Sequence, residues 1–215
     1  MNTAERRWIK ADNAYQYYQH YIDSKPDRYA LTITDLIYVT NFKGGSAIIA
    51  EPPKSLAEKL NYYERQLREC ASAPEFKRTL GSLNTKCYKL ALSRIVAFAS
   101  LAINRHAHID GFGASFASAL LHFYFPRLVP ILDRRGVNGA RLYGIIVQPS
   151  NNQVNNLLEL YPRLIAYCRT RLRASPQLTL RGLDRRLFAQ PLRCPPFHIP
   201  RKGIDEGNDG KSVYD

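Results

Sequence analysis

The chain reads as helical along most of its length. Apolar residues recur at three- and four-residue spacing, the period of a helix with one buried face. The clearest stretch is 85–104, where Tyr88, Leu92, Ile95, Phe98 and Ala102 share a stripe. A second apolar helix is predicted over 115–125, stopped by Pro126. A long amphipathic helix is predicted over 151–173 and a shorter one over 179–189. Asn2-x-x-Glu5 and Ser55-x-x-Glu58 have the form of capping boxes. They predict helices over 4–22, closed by Pro26, and over 55–71. Residues 133–143 suit a short helix weakened by Gly136 and Gly139. The segment 31–42 points two ways. Its β-branched residues favour a strand, while Thr32 or Thr34 ahead of Asp35 could open a short helix. Gly44-Gly45 and Pro52-Pro53 bracket a loop around the apolar run 46–50.

Composition narrows the class. The chain has 215 residues, 45% of them hydrophobic, with 14 Tyr and 9 Phe, which excludes wholesale disorder. A chain this long buries about 70% of its unfolded surface and needs no staples. The pattern predicts an all-α fold, with one domain over 1–190. The Pro-, Gly- and charge-rich residues 191–215 read as a mobile tail. The longest mostly apolar run, 90–103, is broken by Arg94 and falls short of the roughly 20 residues of a membrane span. The N-terminus has no apolar signal-peptide core. Four cysteines, at 70, 87, 168 and 194, form no CxxC pair and read as reduced thiols. The expected setting is therefore cytoplasmic, nucleoid-associated if the source is bacterial, with no membrane partner and no oligomeric state specified.

Charge suggests the partner. The net charge is +13. Ten basic residues and a single acid, Asp184, lie between 161 and 202, a local charge of +9, whereas the last 13 residues carry −3. So few acids argue against a surface laced with ion pairs. Arg169, Arg171 and Arg173 are read as part of an electrostatic footprint for phosphates.

The segment 109–140 carries the candidate chemistry. Gly111 and Gly113 form a Gly-x-Gly turn between two apolar helices, a place where backbone can approach a ligand closely. The N–H groups opening the next helix, around Gly111, Phe112, Gly113, Ala114 and Ser115, would make a phosphate site without a basic side chain. An ordinary helix–helix turn has the same look. Arg134 and Arg135 flank Asp133 and could hold phosphates. The tyrosines at 15, 17, 18 and 21 fit core packing better than base stacking. His106, His108 and Asp110 lie within five residues, with nothing elsewhere to complete a metal shell, so no metal and no cofactor are expected.

The order apolar-x-Gly-apolar-Gly, small-residue helix, Pro-containing loop and Pro-Ile-Leu-Asp resembles the helix-hairpin-helix DNA glycosylase superfamily. Residues 109–113 (Ile-Asp-Gly-Phe-Gly) match the hairpin, and 129–133 (Val-Pro-Ile-Leu-Asp) match the segment ending in the family's catalytic aspartate. Ser115, 18 residues before Asp133, stands where bifunctional members carry a catalytic lysine. The motif is closest to the monofunctional, adenine-glycosylase-like branch. With only Cys194 near the C-terminus, it lacks the iron–sulfur loop of many members. The resemblance implies a two-lobed helical bundle with a helix-hairpin-helix motif at about 95–125. It also implies double-stranded DNA as partner and a hydrolase acting in base excision repair.

The chemistry suits the residue. Breaking an N-glycosidic bond develops positive charge on the sugar. A carboxylate such as Asp133 stabilises that charge and activates water. Asp133 also suits a helix N-cap, and the two roles are compatible. Glu51 is a loose candidate for protonating the leaving base. Two alternatives are a helix-hairpin-helix DNA-binding protein without catalysis and an RNA-binding protein using the Arg-rich C-terminal region.

Overall fold

The computed structural model describes residues 3–45, 47–142 and 156–190. The tail at 191–215, the segment 143–155, Asn2 of the first predicted box and Cys194 lie outside the described residues. Within them the fold is all-α, with eight α-helices and no strand. In chain order these are α1 (Thr3–Ser24), α2 (Ile33–Phe42), α3 (Pro53–Ser72), α4 (Thr85–Ser100), α5 (Ala114–Tyr124), α6 (Arg134–Gly139), α7 (Leu157–Ala174) and α8 (Leu180–Ala189). Short 3-10 turns occupy Pro74–Lys77, Leu80–Ser82 and Leu101–Ile103.

Local chemistry explains most boundaries. The ambiguous segment is helical. The Thr32 N–H and hydroxyl both donate to Asp35, which closes the start of α2. Asp35 is fully buried and also takes bonds from Tyr18, Lys25 and Tyr124. That network anchors α2 against α1 and α5 and settles helix over strand. Asn84, Asp133 and Thr179 cap α4, α6 and α8 by accepting N–H groups of Cys87, Gly136 and Gly182. Ser55 does not cap α3. The helix opens two residues earlier, at Pro53, where the missing N–H has no intrahelical partner to lose, and the Ser55 hydroxyl donates to Glu51 instead. On α4, Ile95 and Phe98 are buried as predicted, with Ala91 and Ala99, while Tyr88 and Leu92 are only partly covered; Ala102, also buried, lies in the 3-10 turn that follows.

α5 is the central element. All eight residues Ala117–Tyr124 are buried, as in a helix covered on every side. It packs on α1, α2, α4 and α7. One continuous cluster of buried side chains runs from Tyr18 to Leu187. Tyr18 belongs to it, and Tyr15 and Tyr21 pack against it, whereas Tyr17 remains 64% exposed. Cys70, Cys87 and Cys168 are free thiols.

Candidate functional site

Asp133 is delivered by an extended segment that three buried side chains hold in place. Ser118 accepts the Leu132 N–H (2.9 Å), the His122 ring bonds the Val129 carbonyl (2.6 Å) and Tyr161 donates to the Pro130 carbonyl (2.7 Å). Two of these side chains come from α5 and one from α7. At the end of the segment, Asp133 turns into α6. Its Oδ1 accepts the Gly136 N–H at 2.5 Å, and Lys43 donates to its Oδ2 at 3.3 Å. Lys43 is placed by the end of α2, where Gly44 and Gly45, both at positive φ, turn the chain away.

Asp133 opens on a cleft of about 1180 Å³. The walls come from α1, the end of α2, the start of α5, α6, the start of α7 and α8. Among the described residues six cations line it (Arg7, Lys10, Lys43, Arg134, Arg135 and Arg181) against two carboxylates, Asp133 and Asp184. Gly113, Ala114 and Ser115 line it too, so the N-terminal end of α5 faces the cleft, with its positive dipole end. Exposed Tyr17 and Ile103, 64% and 71% accessible, also line it.

Asp184 lies beside Arg181, which donates to it at 2.8 Å and to Asp12 at 3.1 Å. The Arg181 guanidinium sits over the rings of Trp8 (4.1 Å) and Tyr15 (4.6 Å), so this cation pins α8 to α1. Burial first, and then the Asp133 carboxylate, push the Asp184 carboxyl up to about 6, against the pull of Arg181 and Lys43. The buried His122 is pushed down to about 4 by desolvation, so its ring is neutral at pH 7.

Several expected site residues have other work. Phe112 is fully buried, edge-on to Tyr63 at 6.0 Å, and its N–H bonds the Ile109 carbonyl. It is a core residue and offers nothing to a phosphate. Gly111 has φ +79°, and a Cβ there would stand 2.1 Å from the Ile48 carbonyl oxygen. That glycine exists to let the 47–52 loop close on the turn. Gly113 has ordinary backbone angles, open space around it and a place on the cleft wall. The two glycines therefore do different jobs.

No family model, curated protein or solved structure matches this chain.

The arginines divide as well. Arg134 and Arg135 line the cleft, and Arg135 stacks on Phe188 at 4.5 Å. Arg169, Arg171 and Arg173 do not. Leu157 and Leu158 at the start of α7 line the cleft, and Arg171 lies 14 residues further on, about 21 Å along the helix. Arg169 is a structural clamp: it donates to the Leu83 carbonyl at 2.7 Å and covers the Tyr88 ring at 4.2 Å. Arg171 and Arg173 are exposed. Glu51 is bound to Lys59, Ser55 and the Asp110 N–H, and the Lys59 bond above all holds its carboxyl below the usual range, the wrong direction for an acid. His106 and His108 are tied to Arg105 and to the Ala102 carbonyl. No group of three or more metal-type ligands gathers among the described residues. Nor is any described helix long and apolar enough to cross a membrane.

Sequence reasoning missed Lys43, Arg181 and Asp184 as cleft residues. For Asp184 there was a signal: it is the lone acid in the basic run 161–202. Lys43 carried none, because its partner is 90 residues away.

Proposed function

We propose that this chain binds double-stranded DNA and hydrolyses the N-glycosidic bond of a damaged or modified base. The observation that carries the reading is the pair of carboxylates, Asp133 and Asp184, on the wall of one strongly basic cleft. A base turned out of the stack, at a cost of a few kcal/mol, enters the cleft. The cations and the N-terminal end of α5 hold the flanking phosphates. Asp133 faces the developing sugar cation and takes a proton from the attacking water. Asp184, with its raised pKa, gives a proton to the leaving base. A carboxyl pushed up by burial beside a second carboxylate suits the acid in an acid–base pair. The resemblance of residues 109–133 to DNA glycosylases supports the same assignment.

The test is incubation with a panel of duplexes, each carrying one modified base, followed by alkali to cut at abasic sites. Cleavage of one duplex by wild type, and none by Asp133→Asn with DNA affinity retained, is the expected result. Tight DNA binding with no base released from any duplex would favour a DNA-binding protein without catalysis.

A further inference from the structure

Three helices, α4, α5 and α7, each have one end at the cleft and the other at a second basic pole. α4 opens beside the Leu80–Ser82 turn, and Ile103, just past its end, lines the cleft. α5 starts on the cleft wall at Ala114 and leads to Arg127, whose carbonyl accepts the Leu80 N–H at 3.0 Å. α7 starts on the wall at Leu157, and near its other end Leu172 meets Gly81 while Arg169 holds the Leu83 carbonyl. The Leu80–Ser82 turn, the start of α4, Arg127 and the end of α7 therefore form one pole, and the cleft forms the other. Leu157 and Arg171 are about 21 Å apart along α7, and so are Lys86 and Ser100 along α4.

The far pole is a face of cations that no carboxylate answers. Arg78, Lys86, Lys89, Arg127, Arg171 and Arg173 are all exposed. None of these side chains joins an ion pair among the described residues. The stretches that build the pole, 76–109, 111–132 and 160–183, contain no Asp or Glu. Glu75, just before the first of them, is buried and bound to Arg94. Cations gathered without acids raise a positive potential that a row of phosphates matches. Other partners fit less well. A protein interface needs an apolar centre, and an anionic membrane surface needs apolar side chains to insert beside the charges. Among the described residues of this pole, Leu90, 46% accessible, is the only large apolar side chain exposed.

The geometry points to a duplex-binding face at this pole, separate from the cleft, so that one molecule bridges two segments of DNA. The bridging rests on the DNA reading of the cleft, and the face does not. Duplex DNA has a persistence length of about 150 base pairs, so a straight segment held in the cleft does not turn back to the opposite pole. The far face takes another segment. Its contacts are to phosphates, which carry no sequence information, so it binds unmodified duplex of any sequence.

Native mass spectrometry of the full-length protein with a short unmodified duplex tests this by counting duplexes per protein. Wild type should form a complex of one protein with two duplexes at low ionic strength. A four-site variant (Lys86→Glu, Lys89→Glu, Arg171→Glu and Arg173→Glu) should keep the one-duplex complex and lose the two-duplex complex by about tenfold or more. Gln at the same four positions, which removes charge without adding repulsion, should act in the same direction. Arg7→Glu with Lys10→Glu, on the cleft wall, should also stop at one duplex. Thermal melts that match wild type exclude misfolding as the cause of a loss. Two duplexes still bound by both four-site variants would overturn the inference, and so would a wild type that binds one duplex and keeps it in those variants. Capture of wild type but not of the four-site variants by anionic phospholipid vesicles, with no second duplex bound, would overturn it in favour of a membrane surface. One duplex lost in the four-site variants and kept in the cleft variant sinks the DNA reading of the cleft and leaves the face standing. No duplex bound by wild type sinks both.

Discussion

The two ends of α7, with Glu159 in the first turn and Arg171 and Arg173 in the last, are built for different purposes. At its start, Leu157 and Leu158 help wall a cleft where cations surround two carboxylates. At its other end, Leu172 packs against Gly81, whose Cβ position is 3.1 Å from the Leu172 Cβ, and Arg169 clamps the Leu83 carbonyl. There Arg171 and Arg173 stand exposed, and the neighbouring stretch 76–109 contains no acid at all. A net charge summed along the sequence treats these ends as one footprint. The fold separates them by about 21 Å and gives only one of them a place for chemistry.

The largest expected effect breaks this comparison at the cleft. Asp133→Asn should slow single-turnover base release by roughly 10²–10³-fold, since the charge facing the developing cation is lost while the cap geometry survives. Arg171→Glu with Arg173→Glu should leave that rate unchanged at saturating protein. A comparable loss in the arginine variant would mean that the far end also shapes the reaction.

The next effect is on stability and lies beneath the cleft. The His122 pKa is lowered to about 4 from an ordinary 6.5, so the unfolded chain binds the proton first as pH falls. Stability contributed by the neutral ring is complete above about 6.5 and is lost on going down to about 4, by about 3 kcal/mol. Asp184, raised to about 6, acts with the opposite sign as pH rises from about 4 to 6. Urea titrations of wild type and His122→Gln across this window check it, and equal pH slopes in the two proteins would count against the assignment.

Gly111→Ala should destabilise by about 2 kcal/mol or more, because the left-handed backbone and the Ile48 carbonyl both oppose a Cβ. Gly113→Ala, in open space, should stay within about 0.5 kcal/mol. If both melt alike, the division between a structural and a cleft-facing glycine fails. Arg169→Ala should cost about 1–2 kcal/mol by freeing the Leu83 carbonyl and the Tyr88 ring, against near neutrality for Arg171→Ala. Thermal melts side by side decide it.

The smallest effect sharpens the role of the far end. If Arg171 and Arg173 touch phosphates, each charge reversal should lower the slope of log affinity against log salt by roughly 0.9. An unchanged slope would confine DNA contact to the cleft end.

What could be read in the residues alone was local. Asp133 announces a helix start because its side-chain oxygen satisfies a free N–H group three residues on. The buried stripe of α4 follows from helical period, and Asp133 with Ser115 from a motif of about 32 residues. Tertiary structure decided everything that depends on distant partners. Segment 31–42 is a helix partly because Asp35 meets Tyr18, Lys25 and Tyr124. Gly111 and Gly113 look alike in sequence, yet a loop more than 60 residues upstream closes on one and leaves the other open. Lys43 joins Asp133 across 90 residues, and Arg181 reaches Asp12 across 169. Helical period and caps act within a few residues, so they are written in order along the chain. Ion pairs, close approaches and shifted pKa values act through space, so they exist only once packing has chosen which residues meet.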